Sequence, residues 1–158
     1  EIGRLYDGRE LTILAVLTGS LVFLADLVRR LPVMMRIDMV NVSSYPGEAV
    51  TPRGPDILLP PAADLAGREV VIVDDILDSG RTLEALVSAV REQRPASMRS
   101  CVLLRKCPSP RAGRIEADFV GFDVGDEFVV GYGLDFNHRY RNLPDICVLS
   151  RHDRREKP

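Results

Sequence analysis

The chain has 158 residues, 46% of them hydrophobic and 28% charged, with a net charge of −2. That length fits one domain able to bury roughly 68–70% of its unfolded surface without staples, and the balanced charge argues against a general nucleic-acid binder. No apolar run approaches the ~18 residues of a membrane span, and three cysteines without CxxC or zinc spacing fit a reducing, cytoplasmic setting.

The opening 1-EIGRLYDGRE-10 reads as the end of a helix and a turn, and with no initial Met the chain is expected to begin inside a longer protein. Apolar runs of strand length follow at 11-LTILAVL-17, 33-VMMRIDMV-40, 69-EVVIVDD-75, 100-SCVLLRK-106, 118-DFVGFDV-124, 128-FVVGYGL-134 and 146-ICVLS-150. Between the first two, Leu21, Leu24, Val28 and Leu31 make one helical stripe, ended by Pro32. After the third, Leu83, Leu86, Val87 and Val90 make another, ending before Pro95. Strands alternating with helices predict an α/β fold with a mostly parallel central sheet. Continuous rather than alternating apolar strands predict helices on both faces. Cys101 and Cys147, inside apolar runs, read as small core residues.

The stretch 43–62 differs, holding five of the eleven prolines and little periodicity. Such a segment inside a compact domain is expected to be a functional flap, weakly ordered over roughly 43–56 without ligand. The basic run 151-RHDRREKP-158 reads as a solvated tail.

The chemistry concentrates in 70-VVIVDDILDSGRT-82, where an apolar strand runs into Asp74 and Asp75, then Asp78, Ser79, Gly80 and Thr82. In an open α/β sheet, ligands bind beyond the carboxyl ends of the strands. Ser79 is placed to cap the next helix. Gly80 allows close backbone approach, and helix N-terminal N–H groups attract anions. The stretch therefore offers acceptors for hydroxyls or a metal and donors for a phosphate, which a sugar phosphate satisfies together. A P-loop is excluded by the lack of Gly-x4-Gly-Lys-Ser/Thr, and the dinucleotide fingerprint by Phe136 where Gly or Ala is needed. The spacing Asp-Asp-x-x-Asp argues against an aspartyl-phosphate phosphatase. A receiver domain would need a second strand-end Asp and a Lys that do not fit.

Strand, acid pair, two residues, Asp, Ser-Gly, one residue and Thr resembles the phosphoribosyl-pyrophosphate (PRPP) motif of the type I phosphoribosyltransferases. With 17-LTGSLVFLADLVRRL-31, 44-SY-45, 103-LLRK-106 and 118-DFVGFDVGDEFVVGYGLDFNHRYRNLPDICVLS-150, the chain resembles the hypoxanthine-guanine phosphoribosyltransferase family from about residue 11 onward. The resemblance implies a Rossmann-like single phosphoribosyltransferase domain with a small hood. It implies a Mg2+-dependent purine salvage transferase that makes IMP or GMP and pyrophosphate from PRPP and hypoxanthine or guanine. A homodimer or homotetramer, with no nucleic-acid or membrane partner, goes with it.

The same resemblance implies residue roles. Asp74 and Asp75 would bind the ribose hydroxyls, Asp74 standing where Glu is usual. Asp78 would be the general base or acid beside purine N7. Asp78, Ser79, Gly80, Arg81 and Thr82 would hold the 5′-phosphate, with Arg81 where Lys is common. Thr18, Gly19 and Arg141 would contact pyrophosphate, with Thr18 where Lys is often found and with a cis or strained Thr18–Gly19 bond. Lys106 would donate to purine O6, Phe128 would stack on the ring, and the Val129 carbonyl would accept from the guanine 2-amino group. Asp135 would coordinate magnesium, with Asp74 and Asp75 reaching it through water. Ser44 and Tyr45 would belong to a closing loop. The rival is a nucleotide-sensing regulator of the same fold, resembling pyrimidine-operon regulators; Asp78, Lys106, Asp135 and Arg141 favour the enzyme.

Overall fold

A computed structural model describes residues 1–43, 56–58, 64–107 and 115–150. In chain order its elements are α1 (Ile2–Leu5), β1 (Leu11–Leu17), α2 (Leu21–Val28), β2 (Met35–Ser43), β3 (Asp56–Leu58), β4 (Glu69–Leu77), α3 (Arg81–Glu92), β5 (Ser97–Lys106), β6 (Phe119–Val124), β7 (Val129–Val130) and β8 (Cys147–Val148). The main sheet has the order β3-β2-β1-β4-β5-β6. Its strands are parallel except β3, which pairs antiparallel with β2. A separate antiparallel ribbon joins β7 to β8.

The apolar strands are continuous because both faces are covered, and the period of two sorts the side chains. Leu14, Val16, Val70, Ile72 and Val102 point to one face, where Leu83, Leu86 and Val90 of α3 bury against them. Leu11, Ile13, Ala15, Val71, Val73 and Cys101 point to the other, under Leu24 of α2 and Ile2 and Tyr6 at the start of the chain. Each fully buried Val, Leu or Ile contributes about 1.5–3 kcal/mol, so these two layers carry the fold. At their N-terminal edge Arg9 stacks over the Tyr6 ring and pairs with Glu69 at 2.7 Å, pinning the opening turn to β4.

Several expectations need correction. The stripe on α2 is Phe23, Leu24, Leu27 and Val28, joined by Leu31 just after the helix, whereas Leu21 is exposed at the start of the helix. Cys147 is exposed, because both residues of the two-residue β8 lie outside the core. Cys101 is buried as expected, and burial pushes its thiol up to about 12. Ser79 does not cap α3; the N-cap is Gly80, at φ 76, with no side-chain cap bond. The run 128–134 is a strand only at Val129 and Val130, since Gly131, Tyr132 and Gly133 all turn through positive φ. Within 43–62, the three residues of β3 add an edge strand; residues 44–55 and 59–63, with Ser44 and Tyr45, lie outside the described residues, as does the tail 151–158. Among the described residues no helix is long and apolar enough to cross a membrane.

Candidate active site

The chain leaves β1 for β2 on one side and later returns to β4 on the other side of β1. That reversal opens a crevice at the carboxyl ends of β1 and β4, the place where open α/β sheets take ligands. A cleft of about 570 Å³ occupies it. Its lining includes Gly19 from the turn after β1, Asp74 and Asp75 from β4, Asp78, Ser79 and Gly80 from the β4–α3 turn, and Thr82 from the first turn of α3. Asp135, His138 and Arg141, from the turn that joins β7 to β8, complete it.

The turn after β1 begins with a cis peptide, but at Leu17–Thr18 rather than at Thr18–Gly19. The expected bond is one residue off because β1 ends at Leu17, which makes Thr18 the first residue of the turn. Gly19 is required by proximity: a Cβ there would overlap Asp75 Oδ2 and stand 2.6 Å from its Cγ. Gly133, at φ +101, lies against the same turn, where a Cβ would overlap the Gly19 carbonyl oxygen. The two glycines thus let three chain segments meet where side chains would hold them apart.

Asp74 is only 7% exposed. Its Oδ1 accepts the Asp75 N–H at 2.9 Å, and Asp75 Oδ1 accepts the Ile76 N–H at 2.8 Å. Burial, then the neighbouring Asp75 charge, pushes the Asp74 carboxyl well above the usual carboxylate range. Burial also raises Asp75, against hydrogen bonds from Asp74 and the backbone and the more distant Arg141 charge. The pair is therefore short of positive charge and of donors, a poor arrangement for a core and a good one for receiving hydroxyls or a cation.

Across the cleft, Arg141 pairs with Asp135 Oδ1 at 2.7 Å and donates from Nη1 to the Gly133 carbonyl at 2.6 Å. Asp135 Oδ2 accepts the His138 N–H at 2.8 Å. The Tyr132 hydroxyl donates to Asp26 of α2, tying the glycine turn to the helix that follows Thr18–Gly19. The Gly80 carbonyl accepts the Glu84 N–H at 2.8 Å as α3 starts. The N-terminal end of α3 thus lies at the cleft, where Ser79, Gly80 and Thr82 line it, and the first N–H groups of a helix, which have no partner within it, favour an anion there.

Thr18, Arg81, Lys106, Phe128 and Val129 do not line this cleft. Thr18 and Arg81 are exposed beside it. Lys106, Phe128 and Val129 belong to an adjoining region. Register opposes Leu77 to Arg105, so the next residues, Asp78 and Lys106, emerge at the same sheet end. The Lys106 side chain is 11% exposed, with its ammonium 3.8 Å from Asp126. Val129 is buried with Leu103, Leu104 and Leu134, and the cleft residue Ile76 packs on that cluster. Phe128 meets Phe136 edge to face at 5.4 Å. Sequence reasoning missed His138 and the Tyr132–Asp26 link. Only the spacing Asp135-x-x-His138 could have signalled the first, and no local signal exists for the second.

This fold and crevice define an open α/β protein with its ligand cleft at the sheet's switch point, and comparison with known proteins gives its family. The phosphoribosyl transferase domain family model matches residues 1–137, and the chain belongs to that family. It is 45% identical over 136 residues to the hypoxanthine-guanine phosphoribosyltransferase of Bacillus subtilis, covering 86% of this chain and 75% of that protein. It is 43% identical over 149 residues to the bifunctional protein TilS/HprT of Listeria innocua, covering 94% of this chain but 23% of the relative, so it spans about a quarter of that protein's length. Among solved structures it is similar to the hypoxanthine phosphoribosyltransferase of Trypanosoma cruzi in complex with the product IMP, with a TM-score of 0.86 and 38% identity over 96% of this chain and 84% of that one.

Proposed function

We propose that the chain carries a hypoxanthine or guanine phosphoribosyltransferase activity, in which purine N9 displaces pyrophosphate from C1′ of PRPP to give IMP or GMP. The observation that carries this reading is the meeting, in one cleft at the sheet's switch point, of the buried Asp74 and half-buried Asp75 carboxylates, the N-terminal end of α3 and an Asp–Arg pair on a third segment. The IMP held by the similar Trypanosoma cruzi enzyme agrees with it.

In this reading Asp74 and Asp75 accept the ribose hydroxyls. Ser79, Gly80, Arg81 and Thr82 hold the 5′-phosphate, mainly through backbone N–H groups. Gly19, with Thr18, and Arg141 receive pyrophosphate. Lys106 donates to purine O6, which disfavours adenine because a site built around a hydrogen bond leaves a polar group unpaired with the wrong base. Phe128 and Val129 bound the base. Asp78 lines the cleft beside these groups and handles the proton at purine N7. Positioning two substrates and stabilising charge at C1′ supply most of the rate. Closure by the segment containing Ser44 and Tyr45 would keep water from PRPP.

Among the described residues no cluster of three or more His, Cys, Asp or Glu could hold a metal alone. Asp74, Asp75 and Asp135 do fit a hard cation that brings phosphate oxygens and water as its other ligands, and the two raised carboxyls would be stabilised by it. When bound, the ion would neutralise charge developing on pyrophosphate.

The test is direct. Protein, PRPP and magnesium are mixed with hypoxanthine, guanine, xanthine or adenine in turn. Pyrophosphate release with the 6-oxopurines and not adenine is expected; none with any base refutes the reading. Asp78→Asn should lower kcat by about 10²–10⁴-fold while PRPP still binds, and an unchanged kcat removes Asp78 from the proton-handling role.

A further inference from the structure

We infer that His138 is a pyrophosphate-binding residue, whose imidazole donates to phosphate oxygens from the same wall of the cleft as Arg141. The inference rests on the transferase reading for the identity of its ligand.

Three observations carry it. First, His138 lines the cleft together with Gly19, Asp135 and Arg141. Among the described lining residues it and Arg141 are the only basic side chains, facing four carboxylates: Asp74, Asp75, Asp78 and Asp135. A polyanion entering that space needs donors, and Arg141 already divides its guanidinium between Asp135 and the Gly133 carbonyl. Second, the His138 backbone is fixed in the left-handed region at φ 63, with its N–H held by Asp135 Oδ2 at 2.8 Å. A non-glycine residue in that conformation is uncommon, and the Asp135 bond anchors it there. Third, the imidazole has no hydrogen-bond partner among the described residues, so its donor is available. Imidazole carries an N–H whether neutral or charged, so the role does not depend on its protonation state. Asp135 thereby joins two groups for one ligand: it holds the Arg141 guanidinium through Oδ1 and the His138 backbone through Oδ2.

The experiment compares the parent chain with His138→Gly and His138→Gln. Glycine takes the left-handed backbone without steric cost, so a loss in that variant reports the side chain. Glutamine restores an N–H donor of similar reach. Calorimetric titration with inorganic pyrophosphate in magnesium buffer reads binding directly, and initial rates give KM for PRPP and for hypoxanthine. The expected result is a pyrophosphate Kd raised about five- to tenfold in His138→Gly, in the range of one lost charge-assisted hydrogen bond at an exposed site. KM for PRPP should rise in parallel, KM for hypoxanthine should stay within twofold, and His138→Gln should recover most of the loss. Pyrophosphate affinity within twofold of the parent in His138→Gly overturns the inference. An equal rise in both KM values in both variants also overturns it, since that marks general damage. A parent chain that binds pyrophosphate but releases none from PRPP with any base defeats the transferase reading instead, and the calorimetric comparison still decides the role of His138.

Discussion

Replacing Asp74 by asparagine separates what the cleft costs from what it does. Asp74 lies within β4 in register with Val102, 7% exposed, beside the half-buried Asp75 carboxyl. Burial and the Asp75 charge both hold its folded pKa above the unfolded value, so the folded chain binds a proton more tightly than the unfolded one. The stabilisation is then complete below the unfolded value of about 3.9 and is lost as pH rises through the raised folded value. Each pH unit over which the folded carboxyl stays protonated while the unfolded one has ionised is worth about 1.36 kcal/mol. For a chain of this size that is a melting shift of about 3–5 °C per pH unit, since 1 kcal/mol moves Tm by about 2–4 °C. Asp74→Asn keeps the shape and never ionises. In metal-free buffer its Tm should match the parent near pH 4 and exceed it increasingly as pH rises, until the folded Asp74 carboxyl itself ionises and the gap levels off. PRPP affinity should fall about 10–150-fold, the loss of a hydrogen bond to a charged group. Thermal melts across pH, with PRPP titrations at pH 8, check both halves. A Tm difference independent of pH, or a variant that loses ground to the parent as pH rises, refutes the electrostatic account.

Two further outcomes follow from the packing. Gly19→Ala forces the Asp75 carboxylate aside and should cost about 1–3 kcal/mol in a denaturant melt, as overpacking does, with weakened PRPP binding; a parent-like melt and KM would show the turn has slack. Tyr132→Phe removes the hydrogen bond that is the main cause of the low Asp26 carboxyl pKa, ahead of Arg29, so the Asp26 titration should move up toward the ordinary carboxylate range by carbon-detected NMR; no movement would mean that Arg29 and Arg30 suffice.

The parts of the molecule legible in sequence are those where one physical demand dominates. β1 and β4 are buried on both faces, and burial on both faces writes a continuous apolar run. The acid cluster and the turn into α3 are contiguous, so Asp74 to Thr82 could be read as a unit. Where two demands mix, the reading slips. The run 128–134 is apolar because Val129 and Leu134 pack on Leu103 and Leu104, while its glycines serve a turn, so the burial signal imitated a strand. β3 pairs through only three residues among prolines and leaves no periodicity to detect. Ser79 looked like a cap because its type is right, but the helix begins at Arg81 on a left-handed glycine. The Tyr132–Asp26 bond spans 106 positions and has no local trace at all.

The two glycines explain why the cleft behaves as one packed object rather than as three loops. Gly19 makes room for Asp75, and Gly133 makes room for Gly19. The Gly133 carbonyl then accepts from Arg141, whose other nitrogen holds Asp135. A shift in any of these segments is passed to the others through contacts with no slack, because a missing Cβ is the only clearance at two of the joints. The carboxylates of β4 are thus held against their electrostatic preference by a frame set from both sides. Acids with raised pKa and a neighbouring chain too close to yield are what a site looks like when a ligand is to complete its charge balance. The same frame fixes the distance from the proposed ribose-binding carboxylates to the proposed pyrophosphate donors, which a displacement at C1′ requires to be set before the substrates arrive.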